Sequence, residues 1–237
     1  MIDIESKLLS LYKRIFGDKI QKIDYEKNPK ETLNPNKIFN KCEICKTTCK
    51  SYKFRQDLPY FKNIHNIETF VIGESPGSGE ENGKLGYVFG WNQFSTREYS
   101  HLNIKKYRNY FFNVLNLNED NTYITDAIKC YTHKNDFNEV FINCQSYLRE
   151  EILILKPKNI LIISKQNKLK KFLQELNKEL NFNLKIIPHP SNQNFSKIKT
   201  VSDIFKSLGE IENNQKWIDL SKSIENEYSE INNKLKA

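Results

Sequence analysis

The stretch Ile67-Glu-Thr-Phe-Val-Ile-Gly-Glu-Ser-Pro-Gly77 decides the fold class, because it joins a short apolar run to a glycine-containing loop. The apolar run lacks polar alternation, which predicts a strand buried on both faces. Six of the chain's eight glycines then lie between positions 73 and 90. In open parallel sheets, ligands bind outside the carboxyl ends of the strands. The loop that starts at Gly73 is therefore the first place to look for chemistry.

Further strands and helices alternate on both sides of this stretch. The patterns predict strands over 122–128, 159–164 and 184–187, and helices over 4–17, 103–115, 137–155 and 168–180. This alternation predicts an α/β protein, a three-layer αβα sandwich with a central four-stranded parallel sheet. We divide the chain into a helical N-terminal extension (1–39), an α/β domain with a cysteine knuckle (40–200) and a helical C-terminal tail (201–237).

Composition narrows the class of protein. The chain has 237 residues, 38% hydrophobic and 28% charged, which excludes collagen-like, mucin-like and fully disordered proteins. No apolar run reaches transmembrane length, and no basic start precedes an apolar stretch, so we expect a cytoplasmic monomer that is not bound to a membrane.

The charge is informative but does not decide the partner. The net charge of +8 suits a polyanion such as nucleic acid. Lysine accounts for most of the basic residues, however, and the chain is also rich in Asn and Ile. Because A/T-rich codons encode all three, genome composition is an equally good explanation of the charge alone.

Five cysteines lie at Cys42, Cys45, Cys49, Cys130 and Cys144. The Cys42-x2-Cys45 spacing is that of a two-ligand chelate, and the two distant thiols would complete a set of four. Four thiolates suit zinc or an iron–sulfur cluster. Unconnected core thiols are the alternative explanation.

Polar residues end three of the predicted strands. Glu74 follows the first strand, Asp126 lies on the second, and His189 follows the fourth. Parallel strands place their carboxyl ends at one edge, so these three side chains are expected to converge. Taken singly, each has an ordinary explanation, as a solvated loop acid, a turn cap or a loop histidine.

The order of these segments resembles the uracil-DNA glycosylase superfamily, in particular its iron–sulfur branch, often called family 4. The resemblance covers about residues 40–192 and rests on six motifs in order. They are Cys42-Glu-Ile-Cys45, Gly73-Glu-Ser-Pro-Gly77, Ile124-Thr-Asp-Ala-Ile-Lys-Cys130, Cys144-Gln-Ser-Tyr-Leu148, Leu155-Lys-Pro-Lys158 and His189-Pro-Ser191.

The resemblance implies a cofactor and a set of site residues. It implies a 4Fe–4S cluster on Cys42, Cys45, Cys130 and Cys144, with Cys49 as a reserve ligand and zinc as the competing metal. It implies that Glu74 is the catalytic carboxylate and that His189 stabilises the departing base. Further implied contacts are base binding by Ser75 and by an aromatic at either Tyr87 or Phe89, and DNA binding by Ser191, Asn192, Asn194 and Phe195, with Phe195 as the wedge that fills the vacated stack.

Two departures from the family bear on the substrate. Asp126 stands where the family has an Asn that reads uracil, and an ionised Asp accepts from the amino group of cytosine instead. Gly77 lies where other members have a bulky aromatic, which leaves room at C5 of the base. We therefore expect a monofunctional DNA glycosylase for a 5-modified cytosine, such as glucosylated hydroxymethylcytosine of phage DNA, with a role in defence. The alternatives are a uracil-DNA glycosylase of base-excision repair and a non-catalytic, zinc-containing nucleic-acid-binding protein.

Overall fold

The computed structural model describes residues 3–16, 56–76, 85–88, 109–132 and 134–187. These contain three α-helices and six strands, in the chain order α1 (Ile4–Phe16), β1 (Gln56–Leu58), β2 (Thr69–Gly73), β3 (Leu85–Tyr87), β4 (Thr122–Asp126), α2 (Phe137–Leu155), β5 (Asn159–Ile162), α3 (Asn167–Leu180) and β6 (Asn183–Ile186).

The main sheet has four parallel strands in the order β4-β2-β5-β6. The predicted α/β class with a central four-stranded parallel sheet is therefore confirmed. β2 lies between β4 and β5, and its last residue, Gly73, pairs with Asp126 at the end of β4. The carboxyl ends of β2 and β4 are thus level at one edge of the sheet.

A second, two-stranded parallel sheet joins β1 to β3. It was not predicted, because three-residue strands are too short to show a periodic pattern. β1 is also tied to the end of the main sheet, since the Asp57 amide donates to the Lys129 carbonyl at 3.0 Å.

The helices pack around the main sheet with one continuous core. α1 contacts α2, and α2 contacts α3. α1 buries one whole face, formed by Leu8, Leu11, Tyr12, Ile15 and Phe16. The N-terminal helix is therefore part of the same core as the sheet. Among the described helices, none combines the length and apolar character needed to cross a membrane.

The helix ends follow local chemistry. α2 ends at Leu155, and the next residue, Lys156, adopts a left-handed backbone conformation (φ 48°) and donates its amide to the Ile152 carbonyl at 2.8 Å. Pro157 follows and cannot continue a helix. The predicted helix over 103–115 is described only in its last part, where Asn109–Val114 form a π-helical turn.

Candidate active site

Glu74 is the first residue after β2, at the carboxyl edge of the sheet. Two backbone hydrogen bonds join this point to the turn after β4: Ala127 N–H donates to the Gly73 carbonyl and Ile128 N–H donates to the Glu74 carbonyl, both at 3.0 Å. The segments that carry Glu74 and Asp126 are therefore held side by side.

The Glu74 carboxylate is oriented by the segment after β5. Its Oε1 accepts from the Ser164 hydroxyl at 2.9 Å and from the Lys165 amide at 3.1 Å. Its Oε2 accepts from the Gln166 amide group at 3.4 Å. Because Ser164 and Gln166 come from a different strand end, this side chain links two neighbouring strands at the edge of the sheet.

Asp126 ends β4 and is only 3% exposed. Its backbone carbonyl accepts from Lys129 Nζ at 2.8 Å, which closes the turn that follows the strand. Asp126 is therefore a buried residue at the same sheet edge that carries Glu74.

A buried charged network lies directly behind this turn. Lys129 Nζ is 2.7 Å from Glu151 Oε2, and both side chains are almost completely buried, at 2% and 0% exposed. Lys129 Nζ also donates to the Thr125 hydroxyl. The ammonium group thus has three partners, which compensates for much of the cost of its burial.

Two tyrosines complete this network on the other oxygen of Glu151. Tyr12 of α1 donates to Glu151 Oε1 at 2.7 Å, and Tyr123 of β4 donates to the same oxygen at 2.8 Å. Burial raises the pKa of the Glu151 carboxyl, while Lys129 acts in the opposite direction. Burial, together with the charge of Glu151, raises the pKa of the Tyr123 phenol well above its usual value. Tyr123 therefore stays a neutral donor.

Two of the predicted thiol ligands are described. Cys130 follows the Lys129 turn, Cys144 lies on α2, and both are buried. Buried thiols on two different segments fit a thiolate site, since soft sulfur ligands suit an iron–sulfur cluster or zinc. Within the described part of the chain, no three His, Cys, Asp or Glu side chains form a group that could hold a metal. Cys42, Cys45 and Cys49 lie outside the described residues.

Of the remaining predicted residues, some are described by the structure and the others are not. Ser75 follows Glu74 and is half-buried, and Tyr87 is the last residue of β3. Ile187, buried directly after β6, is two residues before His189. The following predicted residues lie outside the described residues: Gly77, Phe89, His189, Ser191, Asn192, Asn194 and Phe195.

Sequence reasoning missed the residues that hold the site in place. Ser164 and Gln166 stand at the carboxyl end of β5, so the strand-end rule that selected Glu74 would also have selected them. Glu151 gave no such signal, because a glutamate in a helix is an ordinary surface residue in most proteins, and Lys129 was noted only as part of a motif, with no partner assigned to it.

Comparison with known proteins agrees with this architecture. A family model described as the uracil DNA glycosylase superfamily matches residues 59–210, which is more than half of the chain. No curated protein shows significant sequence similarity to this chain. The matched range contains all four strands of the main sheet, together with Glu74, Asp126 and the segment that orients Glu74. On this match, the chain belongs to the uracil-DNA glycosylase superfamily.

Proposed function

We propose that the chain is a monofunctional DNA glycosylase, which rotates a base out of DNA and hydrolyses its N-glycosidic bond to leave an abasic site. Membership of the superfamily indicates DNA glycosylase activity. The observation that carries the proposal is the Glu74 carboxylate, fixed by hydrogen bonds at the carboxyl edge of the sheet beside the buried Asp126.

The chemistry of the bond explains what these groups would do. Cleavage develops positive charge on the sugar and negative charge on the departing base. A fixed carboxylate stabilises the first or orients the attacking water, and Glu74 has that role here. His189, two residues beyond buried Ile187, would donate to the oxygen of the departing base. β6 is two strands away from β2, roughly 10 Å along the sheet, so the two groups would act on opposite ends of one flipped nucleoside.

DNA binding needs positive charge beside this edge. Lys165 lies in the segment that orients Glu74, Lys171 lies in the first half of α3, and both are exposed. The acids of α3, Glu175 and Glu179, lie in its second half and form ion pairs with Lys178 and Arg149. The basic half of the helix therefore lies on the side of the site, where DNA phosphates would pass.

The substrate we propose is a 5-modified cytosine, such as the glucosylated hydroxymethylcytosine of phage DNA. Asp126 supports this choice, since a buried carboxylate accepts from the exocyclic amino group of cytosine but cannot donate to O4 of uracil. Gly77 would leave space for the C5 substituent. Restriction to a modified base would spare host DNA and fits a role in defence.

Uracil is the competing substrate, and the description of the matching family favours it. Uracil removal would place the protein in base-excision repair. The two functions share Glu74 and His189 and differ in how Asp126 meets the base.

We also propose that Cys42, Cys45, Cys130 and Cys144 hold a 4Fe–4S cluster. The buried Cys130 and Cys144 support it, because they would supply two sulfur ligands from separate segments. When bound, the cluster would join the cysteine knuckle, Cys42–Cys49, to the main sheet, and none of the steps above uses it. Zinc in the same thiolates is the alternative.

The test is a panel of DNA duplexes that carry uracil, cytosine, hydroxymethylcytosine or its glucosylated form at one position. Abasic sites are detected by alkaline cleavage under single-turnover conditions. We expect excision of the modified cytosine, and a loss of roughly 100- to 1000-fold in rate in Glu74→Gln and in His189→Ala with DNA affinity retained. Excision of none of these bases would contradict the proposed function.

Asp126→Asn tests the choice of base. The asparagine side chain can donate a hydrogen bond, whereas the ionised Asp126 carboxylate can only accept one. The variant should therefore gain activity on uracil and lose it on cytosine-type bases, by about 1–3 kcal/mol in transition-state free energy. Efficient excision of uracil by the wild-type protein, without action on any cytosine derivative, would replace the defence role by the repair role.

A further inference from the structure

The two oxygens of the Glu74 carboxylate have different surroundings. Oε1 accepts two hydrogen bonds of ordinary length, 2.9 Å from the Ser164 hydroxyl and 3.1 Å from the Lys165 amide. Among the described residues, Oε2 has one contact, 3.4 Å from the Gln166 side-chain amide, at the outer limit of a hydrogen bond. Within the described part of the chain, one oxygen is therefore anchored by two donors and the other has a single weak contact.

The Ser164 hydroxyl is oriented toward Glu74. Its oxygen accepts from the Gln166 backbone amide at 2.9 Å, and its single proton points to the carboxylate. Ser164 is itself buried, at 6% exposed, so water does not compete freely for this proton.

The segment that carries these donors is held at both ends. The Ile163 amide donates to the Ile72 carbonyl at 2.8 Å, which ties the segment to β2 one residue before Ser164. The Gln166 carbonyl accepts from the Lys170 amide at 3.2 Å, which begins α3. Both donors to Oε1 are thus fixed by secondary structure on either side.

We propose that Ser164 is the positioning residue for the glycosidic reaction: with the Lys165 amide it fixes Oε1 of Glu74 and leaves Oε2 as the oxygen that faces the sugar or the attacking water. This inference rests on the proposed function. It follows from the geometry, because a carboxylate held by two donors at one oxygen can rotate only a little. The weak contact to Gln166 is the one that a substrate can replace.

Ser164→Ala is the direct test, measured with the full-length protein on the duplex that the wild type excises. The variant keeps the charge of Glu74 and loses its orientation, so the single-turnover rate should fall roughly 10- to 100-fold while the dissociation constant for DNA stays unchanged. Ser164→Thr restores a hydroxyl and should recover most of the rate. Ser146→Ala, the same change at an exposed position on α2, is the matched control and should behave as wild type.

A second readout does not depend on catalysis. Glu74→Ala, Ser164→Ala and the double variant form a cycle in thermal unfolding, and non-additive shifts in Tm are expected if the two side chains interact as described. If Ser164→Ala does not fold, Ser164→Cys, which has a similar size and a much weaker donor, takes its place in both experiments.

The outcomes separate the inference from the function beneath it. An active wild type with a slow Ser164→Ala and an active Ser164→Thr supports the inference. An active wild type whose Ser164→Ala variant is equally fast, or a strictly additive cycle, overturns the positioning role and leaves the proposed function intact. A wild type that excises no base of the panel overturns both.

Discussion

The hydrogen bond between Tyr12 and Glu151 makes a sharp prediction about the N-terminal helix. Tyr12 lies on α1, outside the residues that match the superfamily, and donates at 2.7 Å to a carboxylate inside the matched domain. Both side chains are fully buried. Tyr12→Phe removes the hydroxyl and keeps the ring, so packing against Phe16 is preserved, with ring centroids 5.7 Å apart in the wild type.

The expected cost comes from the partner that is left behind. A hydrogen bond to a charged group contributes about 1.5–3 kcal/mol. Glu151 keeps Tyr123 and Lys129 after the change, so the lower half of that range applies. We expect a loss of about 2 kcal/mol in the free energy of unfolding, or roughly 4–8 °C in Tm for a chain of this size.

The assay is urea unfolding of the wild type and the variant, followed by circular dichroism. Tyr60→Phe is the matched control, because Tyr60 also donates to a carboxylate, that of Glu119, at a partly exposed position. Water can replace that bond, so the control should lose less than about 1 kcal/mol. A Tyr12→Phe variant that is no less stable than the control would refute the reasoning, because it would show that α1 adds nothing to the stability of the buried network around Glu151.

Two further perturbations follow from the site. The Tyr123 phenol has a raised pKa in the folded protein, so above about pH 10 the unfolded chain releases this proton first and stability falls as pH rises, by up to about 1.4 kcal/mol per pH unit. Unfolding of Tyr123→Phe at several alkaline pH values should show a shallower fall than the wild type, and equal slopes would speak against the network. Cys130→Ser should lose iron and the brown absorbance near ~400 nm, whereas Cys49→Ser should keep both; full iron content in Cys130→Ser would exclude Cys130 as a ligand.

The sequence was sufficient to predict the helices and strands that have a clear apolar run or a helical periodicity. The strand at Thr69–Gly73 and the helix at Phe137–Leu155 have long apolar or periodic signals, and the structure has them within two residues of the predicted bounds or better. Strands predicted to end at 128 and 164 end earlier, at Asp126 and Ile162. In both cases the residues directly after the strand are also buried and apolar, so the apolar pattern continues beyond the point where the strand ends.

The site was predictable only where a strand-end rule applied. Glu74 and Asp126 could be selected because strand ends meet at one edge of a parallel sheet. The partners of Glu74 lie about ninety positions later in the chain, and those of Glu151 lie on α1 and β4. Such pairs depend on how the elements are arranged in space, which no local pattern records.

The Lys129–Glu151 pair has a placement that stability alone does not explain. A buried ion pair often contributes no more to stability than apolar residues of the same volume, because desolvation offsets the attraction. Lys129 does more than pair with Glu151, since the same ammonium group holds the Asp126 carbonyl at 2.8 Å. The next residue, Cys130, is one of the proposed cluster ligands. A change in the network would therefore act on the turn between the residue that would read the base and the thiol that would bind the cluster. Because Tyr12 contacts the other oxygen of Glu151, α1 contributes to the position of that turn although it lies outside the matched domain.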